Sequence, residues 1–137
     1  MNHIDQAEKL LLMASKDMKA MDLMILPESI DDEIFGFHAQ QAVEKLLKAW
    51  ITAIGGAYGF NHDLRVLVLT LRELGCDVEK FRHLIILNPF AVQMRYEPLE
   101  TVDEQLDRPA LRKEVQELHT HVQSVVALLK SKVWTTQ

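Results

Sequence analysis

Apolar residues recur every three or four positions along most of this chain, and that spacing places them on one face of a helix. The first such run predicts a helix over about residues 3–24, which Pro27 ends because proline cannot continue a helix. Its apolar positions are Ile4, Ala7, Leu11, Ala14, Met18, Met21 and Ile25. The chain therefore opens with a long amphipathic helix.

A second run predicts the central helix, from about Ile30 to Ile54. Ser29 with Asp32 three positions later resembles a variant capping pair, and Gly55-Gly56 provides the stop. The expected inner arc is Phe35, Ala39, Ala42, Leu46, Trp50 and Ala53. Phe37 and Ile51 are apolar but lie outside that arc, and Trp134 is a further apolar residue near the end of the chain. They indicate either apolar surface left for another chain or a surface covered by a further helix.

Three shorter signals predict the remaining helices. Asn61 can cap a third helix that Gly75 ends, Asp77 can cap a fourth that Pro89 limits, and Asp107 begins the last one. The inner faces are Leu64, Leu67, Val68, Leu71 and Leu74 in the third helix, then Val78, Phe81, Leu84 and Ile85 in the fourth. The last helix carries a heptad-like stripe of Leu111, Val115, Leu118, Val122, Val125, Leu129 and Val133.

Together these signals predict an all-α fold, an up-and-down antiparallel bundle of about five helices forming one domain over residues 1–137. Most of residues 89–107 lacks a sustained period and is rich in acidic residues, which favours a surface loop. The two long outer helices and the second helix should form the core.

Composition limits the function. The formal charge of −5 repels phosphate at long range, so nucleic-acid contact needs a local basic patch. Cys76 is the single cysteine, and no metal-type cysteine spacing occurs. We expect no metal and no cofactor. With no signal-peptide pattern and no apolar stretch near membrane-spanning length, we expect a soluble, cytoplasmic protein that does not engage a membrane.

A polar stripe on the second helix is the first candidate site. His38, Gln41, Lys45, Lys48 and Thr52 follow helical spacing beside the apolar arc. Two ammonium groups, an imidazole and an amide can together hold a phosphate and a base. The alternative is an ordinary solvated face.

Two further segments carry candidate ligand-binding residues. His62 precedes a predicted helix start, where exposed backbone N–H groups can receive an anion or be capped by Asn61 and Asp63. Arg95 and Tyr96 lie in the predicted loop, where a guanidinium and a ring can clamp a phosphate and stack on a base. Equally, the ring can plug the end of the bundle while Arg95 forms an ion pair.

These segments resemble one known family. The stretch 37–50, the sequence His62-Asp63-Leu64 and the sequence Arg95-Tyr96-Glu97-Pro98 are similar to parts of the HEPN family of small helical proteins. The usual family version has proline and then an acid after the tyrosine, whereas here Glu97 precedes Pro98. The resemblance implies a homodimer that works with a minimal nucleotidyltransferase and binds a nucleotide or RNA between the second helix and the Arg95-Tyr96 loop.

The resemblance also implies two alternatives. Ribonuclease members, including toxins of toxin–antitoxin pairs, carry an arginine, four to six residues and then a histidine. Arg112 and His119 match that pattern as catalytic candidates. Seven residues of uninterrupted helix separate them by about 10 Å, so a shared phosphate would require a second subunit or a bend. The last alternative is a non-catalytic helical adaptor.

Overall fold

The computed structural model describes residues 2–91 and 106–135, the last three of these by backbone alone. Within these ranges the chain forms four α-helices and one 3₁₀ helix and no strand, which confirms the all-α prediction. In chain order they are α1 (His3–Leu23), α2 (Asp32–Ala53), α3 (Leu64–Glu73), the 3₁₀ helix (Glu79–Phe90) and α4 (Arg108–Thr135).

Helix α2 is the centre of the bundle. From Ala42 to Ala53 every residue except Lys45 is buried, because α1, α3, α4 and the 3₁₀ helix all pack against α2. The predicted inner arc is buried throughout. Ile51 is also fully buried, so the prediction that it contributes leftover apolar surface is wrong; neighbouring elements cover it. Phe37 is half-buried, with its ring centroid 5.2 Å from that of His38.

The turn between α1 and α2 is held by a buried arginine instead of the predicted capping pair. The hydroxyl of Ser29 donates to the Leu26 carbonyl at 2.6 Å, and Asp31, the N-cap residue, makes no side-chain cap bond. The carboxylate of Asp32 binds Arg108 instead. The Arg108 guanidinium, 1% exposed, also donates to the carbonyls of Met24, Leu26 and Ile30 at 2.6–3.0 Å. Arg108 thereby fastens α4 to this turn.

Helix α3 begins two residues later than a cap at Asn61 alone implies, and both predicted capping residues, Asn61 and Asp63, accept backbone hydrogen bonds there. Asp63 is its N-cap residue and accepts a hydrogen bond from the Arg65 backbone at 2.9 Å, while Asn61 accepts from Asp63. Leu74 is 47% exposed instead of buried, since it is the C-cap residue and the chain then turns at Gly75, where φ is +91°. A left-handed conformation of this kind favours glycine.

The predicted fourth helix is a 3₁₀ helix of 12 residues that continues through Pro89. A 3₁₀ helix has three residues per turn. Phe81, Leu84, Leu87 and Phe90 are spaced by three and all buried, so the three-residue repeat lets one row of side chains enter the core. The Phe90 ring lies against Gly36 of α2, where a Cβ atom would come within 2.5 Å of it.

Helix α4 starts where the sequence predicts. The Asp107 carboxylate accepts from the Ala110 backbone at 3.1 Å, as expected of a cap. The buried stripe is Leu111, Val115, Leu118, Val122 and Val126, and Val125 and Leu129 are only partly buried. The shift from Val125 to Val126 follows from the period of 3.6, which drifts away from a strict heptad along a straight helix.

Candidate functional site

The polar residues predicted on α2 fall into two separate groups. His38 and Lys45 face α1 and share the carboxylate of Asp17. Lys48 lies near Tyr58 in the segment before α3 and shares the carboxylate of Glu44 with His62. No hydrogen bond joins the two groups within the described parts of the chain. We call them the Asp17 network and the Glu44 network.

In the Asp17 network one carboxylate orients an imidazole and an ammonium group. Lys45 Nζ donates to Asp17 Oδ2 at 2.6 Å, and His38 Nδ1 lies 3.0 Å from Oδ1. The Asp17 side chain is 12% exposed. Because a carboxylate only accepts hydrogen bonds, Nδ1 must carry its hydrogen, and the other imidazole nitrogen, Nε2, remains for a ligand.

The Glu44 network has the same plan and is more deeply buried at its centre. Glu44 Oε2 accepts from Lys48 Nζ at 3.1 Å and from His62 Nδ1 at 3.0 Å. The amide of Gln40 donates to Glu44 Oε1 at 3.0 Å, and the amide of Gln41 donates to Gln40 at 2.8 Å. Both carboxylate oxygens of Glu44 therefore have partners, as a buried charge requires.

Local structure explains how these side chains meet. Gln40, Glu44 and Lys48 are spaced by four on α2, which brings them onto one face of the helix. His62 immediately precedes Asp63, the N-cap residue of α3, so the start of that helix positions its ring. Tyr58 lies in the turn before it, with its ring centroid 5.0 Å from Lys48 Nζ, a cation–π distance.

The arrangement supplies hydrogen-bond donors and acceptors more than free positive charge. Each lysine is neutralised by one carboxylate, yet an ammonium group has three N–H donors and only one is used in each ion pair. The His62 side chain is 61% exposed and that of His38 31% exposed. A ligand at the Asp17 network would meet one oriented imidazole and one partly occupied ammonium group, and a ligand at the Glu44 network would meet a second such pair with the Tyr58 ring.

The loop residues Arg95 and Tyr96 lie outside the described residues. The described chain stops at Ala91, next to Phe90 on Gly36 of α2. It resumes at Leu106, whose backbone N–H donates to Asp32 at the start of α2 at 3.1 Å. Both ends of the intervening segment are therefore anchored at the N-terminal part of α2.

Arg112 and His119 occupy the side of α4 that faces α1, without touching each other directly. The Arg112 guanidinium donates to Asp22 at 2.7 Å and to Gln116 at 3.1 Å. His119 Nε2 lies 3.3 Å from the Ser15 hydroxyl, and its Nδ1 is buried with no hydrogen-bond partner among the described residues. Burial, and secondarily the Arg112 charge, lower the pKa of His119.

Two other groups have perturbed acidities. The His121 ring lies 4.5 Å from Trp50 and 5.4 Å from Phe81, between centroids, and burial followed by the charge of Lys80 lowers its pKa. Burial raises the pKa of the Cys76 thiol. In residues 2–91 and 106–135 no three His, Cys, Asp or Glu side chains are grouped as metal ligands.

Sequence reasoning missed Asp17 and Glu44, the two acids that organise the networks. A signal existed for Glu44, since it forms an i, i+4 pair with Lys48 in the middle of an otherwise apolar stretch. Asp17 interrupts the apolar run of α1 beside Met18, but its partners are 21 and 28 residues away. Nothing local indicates which residues it meets.

The fold and these networks define a helical-bundle protein with a polar, partly exposed face on its central helix. A family model described as HEPN domain matches residues 7–132, and the chain belongs to the HEPN family. No curated protein and no solved structure matches it significantly. Among the described helices, none combines the length and apolar character needed to cross a membrane.

Proposed function

We propose that this HEPN protein acts with a minimal nucleotidyltransferase and binds a nucleotide or RNA at the face of α2 that carries the Asp17 and Glu44 networks. The segment with Arg95 and Tyr96 would close the other side of the groove. The partner follows from the family, whose members are often encoded beside such enzymes. A homodimer belongs to the same proposal.

The observation that carries the proposal is the repeated lysine–carboxylate–histidine arrangement. In both networks His Nδ1 lies 3.0 Å from a carboxylate oxygen, which orients the ring and directs Nε2 away from the acid. An Nε2 that accepts suits the N–H donors on the edges of bases, and the spare N–H donors of Lys45 and Lys48 suit phosphate oxygens. An imidazole left to rotate in solvent would lose more entropy on binding.

The adaptor alternative is less well supported. It predicts that Lys45 and Lys48 extend into solvent, whereas both are held by carboxylates and Lys48 is only 11% exposed. Buried ion pairs stabilise a fold weakly, and apolar residues of similar volume are often as stable or more so. The presence of these lysine–carboxylate pairs on the central helix is therefore easier to explain by ligand binding than by a contribution to folding stability.

The endoribonuclease alternative rests on one observation at α4. The lowered pKa of His119 keeps its imidazole neutral near pH 7, which is the form that a general base needs. Its Nε2 lies against Ser15 on α1, however. Catalysis by Arg112 and His119 would require this contact to open toward a second subunit.

Binding of labelled AMP, ATP and a short RNA to His38→Ala and His62→Ala variants tests the proposal. For the AMP and ATP measurements His83→Ala is a matched control, since His83 is also 61% exposed with Nδ1 3.0 Å from a carboxylate, that of Glu114, away from α2. Losing a hydrogen bond to a charged group weakens binding by about 10- to 100-fold. Equal affinity in all three variants would reject the α2 site.

Expression of the chain in bacteria separates binding from cleavage. Growth and total RNA integrity are followed beside Arg112→Ala, His119→Ala and Arg95→Ala variants. If growth stops and RNA is cut only when Arg112 and His119 are intact, the protein is a nuclease toxin and the binding proposal is wrong. Unaffected growth and intact RNA with soluble protein favour binding or scaffolding over cleavage.

A further inference from the structure

A groove between α3 and the 3₁₀ helix concentrates positive charge on this acidic protein. It encloses about 580 Å³ and is lined by Arg65, Arg72 and Arg82, with Val68, Val78 and Ile85 among its apolar residues. The chain has six arginines and a formal charge of −5. Half of its guanidinium groups therefore border one groove, although the net charge of the whole protein is negative.

Two of these arginines have no acidic partner in the described chain. Arg82 donates to Glu79 at 3.1 and 3.3 Å, which neutralises that pair. His83, at the rim, is bound to Glu114. Arg65 and Arg72 are exposed, and neither takes part in an ion pair within the residues that the structure describes. A net charge of about +2 thus faces the groove.

The spacing of the two arginines matches a strand of nucleic acid. They are seven residues apart on α3, so they share a face and are separated by about 10 Å along the helix axis. Successive phosphates of one strand lie farther apart than the axial rise of about 3.4 Å per nucleotide, because the backbone winds around the axis, so about two nucleotide steps span the same distance. Guanidinium groups match phosphate oxygens through paired N–H donors.

We propose that the groove between α3 and the 3₁₀ helix binds the phosphodiester backbone of single-stranded RNA, with Arg65 and Arg72 on phosphates about two nucleotides apart. The choice of RNA rests on the proposed function, in which α2 binds a nucleotide or RNA. This second site favours the longer ligand, because a strand can place a separate phosphate on each arginine. The apolar residues between them provide a surface for riboses and bases.

Fluorescence anisotropy with a labelled RNA of about eight nucleotides tests the proposal on the full chain. The test variant is Arg65→Gln with Arg72→Gln. The control is Lys9→Gln with Lys19→Gln on α1, which removes the same charge from two exposed lysines that make no ion pair in the described chain. All four residues are exposed, so both variants should fold, as circular dichroism would verify.

The arginine variant should bind RNA about tenfold more weakly than the control. In a plot of log affinity against log salt concentration, the slope of the arginine variant should be less steep than that of the control by about 1.4. Each lost contact with a single-strand phosphate reduces the slope by about 0.7, and two contacts are lost. Between about 50 and 200 mM salt, its affinity should therefore fall about sevenfold less than that of the control. Labelled AMP should bind both variants equally.

Four results would overturn the proposal. Equal weakening in both variants would mean that only net charge matters. Loss of AMP binding in the arginine variant would indicate a site for a single phosphate. Displacement of RNA by a polyglutamate peptide as effectively as by unlabelled RNA would assign the groove to an acidic protein segment. If His38→Ala and His62→Ala weaken RNA binding and the arginine variant does not, the proposed function stands and this inference fails. If only the arginine variant weakens RNA binding, the α2 site is rejected and the groove remains.

Discussion

Replacing Arg108 by methionine should destabilise the bundle more than any surface change of the same kind. The guanidinium of Arg108 is 1% exposed and makes five hydrogen bonds, three to backbone carbonyls and two to Asp32. Methionine keeps much of the apolar volume of the stem but supplies no donor. The change therefore isolates the lost polar contacts.

Removing one partner of a buried ion pair costs about 3–5 kcal/mol. Asp32 is 22% exposed and can regain water, so the lower end, about 3 kcal/mol, is expected. Domains of this size unfold with about 5–15 kcal/mol, so the loss is a large fraction of the total. It should lower the urea midpoint by about 1.5 M and Tm by about 10 °C.

The assay is urea unfolding followed by far-ultraviolet circular dichroism, with Arg112→Met as the matched control. Arg112 lies one turn further along α4 and pairs with Asp22, whose side chain is 55% exposed. A solvated pair of this kind contributes about 0–1 kcal/mol. If Arg108→Met and Arg112→Met lose equal free energy of unfolding, the view that Arg108 holds the α1–α2 turn is wrong.

Three further predictions concern packing and titration. Gly36→Ala should lower the free energy of unfolding by about 1–2 kcal/mol, because its Cβ would lie 2.5 Å from the Phe90 ring and overpacking outweighs the better helix propensity of alanine; thermal unfolding measures this. The free energy of unfolding should fall as pH drops below 6.5, the ordinary pKa of histidine. Burial, and secondarily the charge of Arg112, lower the pKa of His119 in the folded protein, so the unfolded chain takes up the proton first. Above that pH both states are neutral at this site, so His119→Gln should flatten the acid side of the profile without changing its neutral side. Since burial raises the pKa of Cys76, its thiol should react with iodoacetamide more slowly in the folded than in the unfolded protein at mildly alkaline pH.

Each of these has a result that contradicts it. The Gly36→Ala loss should shrink when Phe90 is also changed to leucine; an equal loss in both backgrounds would mean that the ring is not the obstacle. An unchanged acid slope in His119→Gln would show that the histidine does not take part in the loss. Equal thiol reaction rates in folded and urea-unfolded protein would show that Cys76 is not protected.

Local pattern determined the positions of the helices. Spacing of three and four predicted α1, α2, α3 and α4, because a helix that buries one face must repeat its apolar residues at 3.6. The glycine stops were equally local: Gly55 and Gly75 have φ of +83° and +91°, a conformation that glycine adopts without steric cost. The 3₁₀ helix was missed as such, although its buried residues repeat strictly every three positions.

Tertiary structure alone decided the chemistry of the site. The sequence placed His38, Lys45 and Lys48 on one polar stripe, and the fold divided that stripe between Asp17 on α1 and Glu44 on α2 itself. It also turned Arg108 inward instead of leaving it on a helix surface. The physical reason is that periodicity specifies which face a residue occupies, whereas its charge partners depend on which other helix packs against that face, and those partners come from distant parts of the chain.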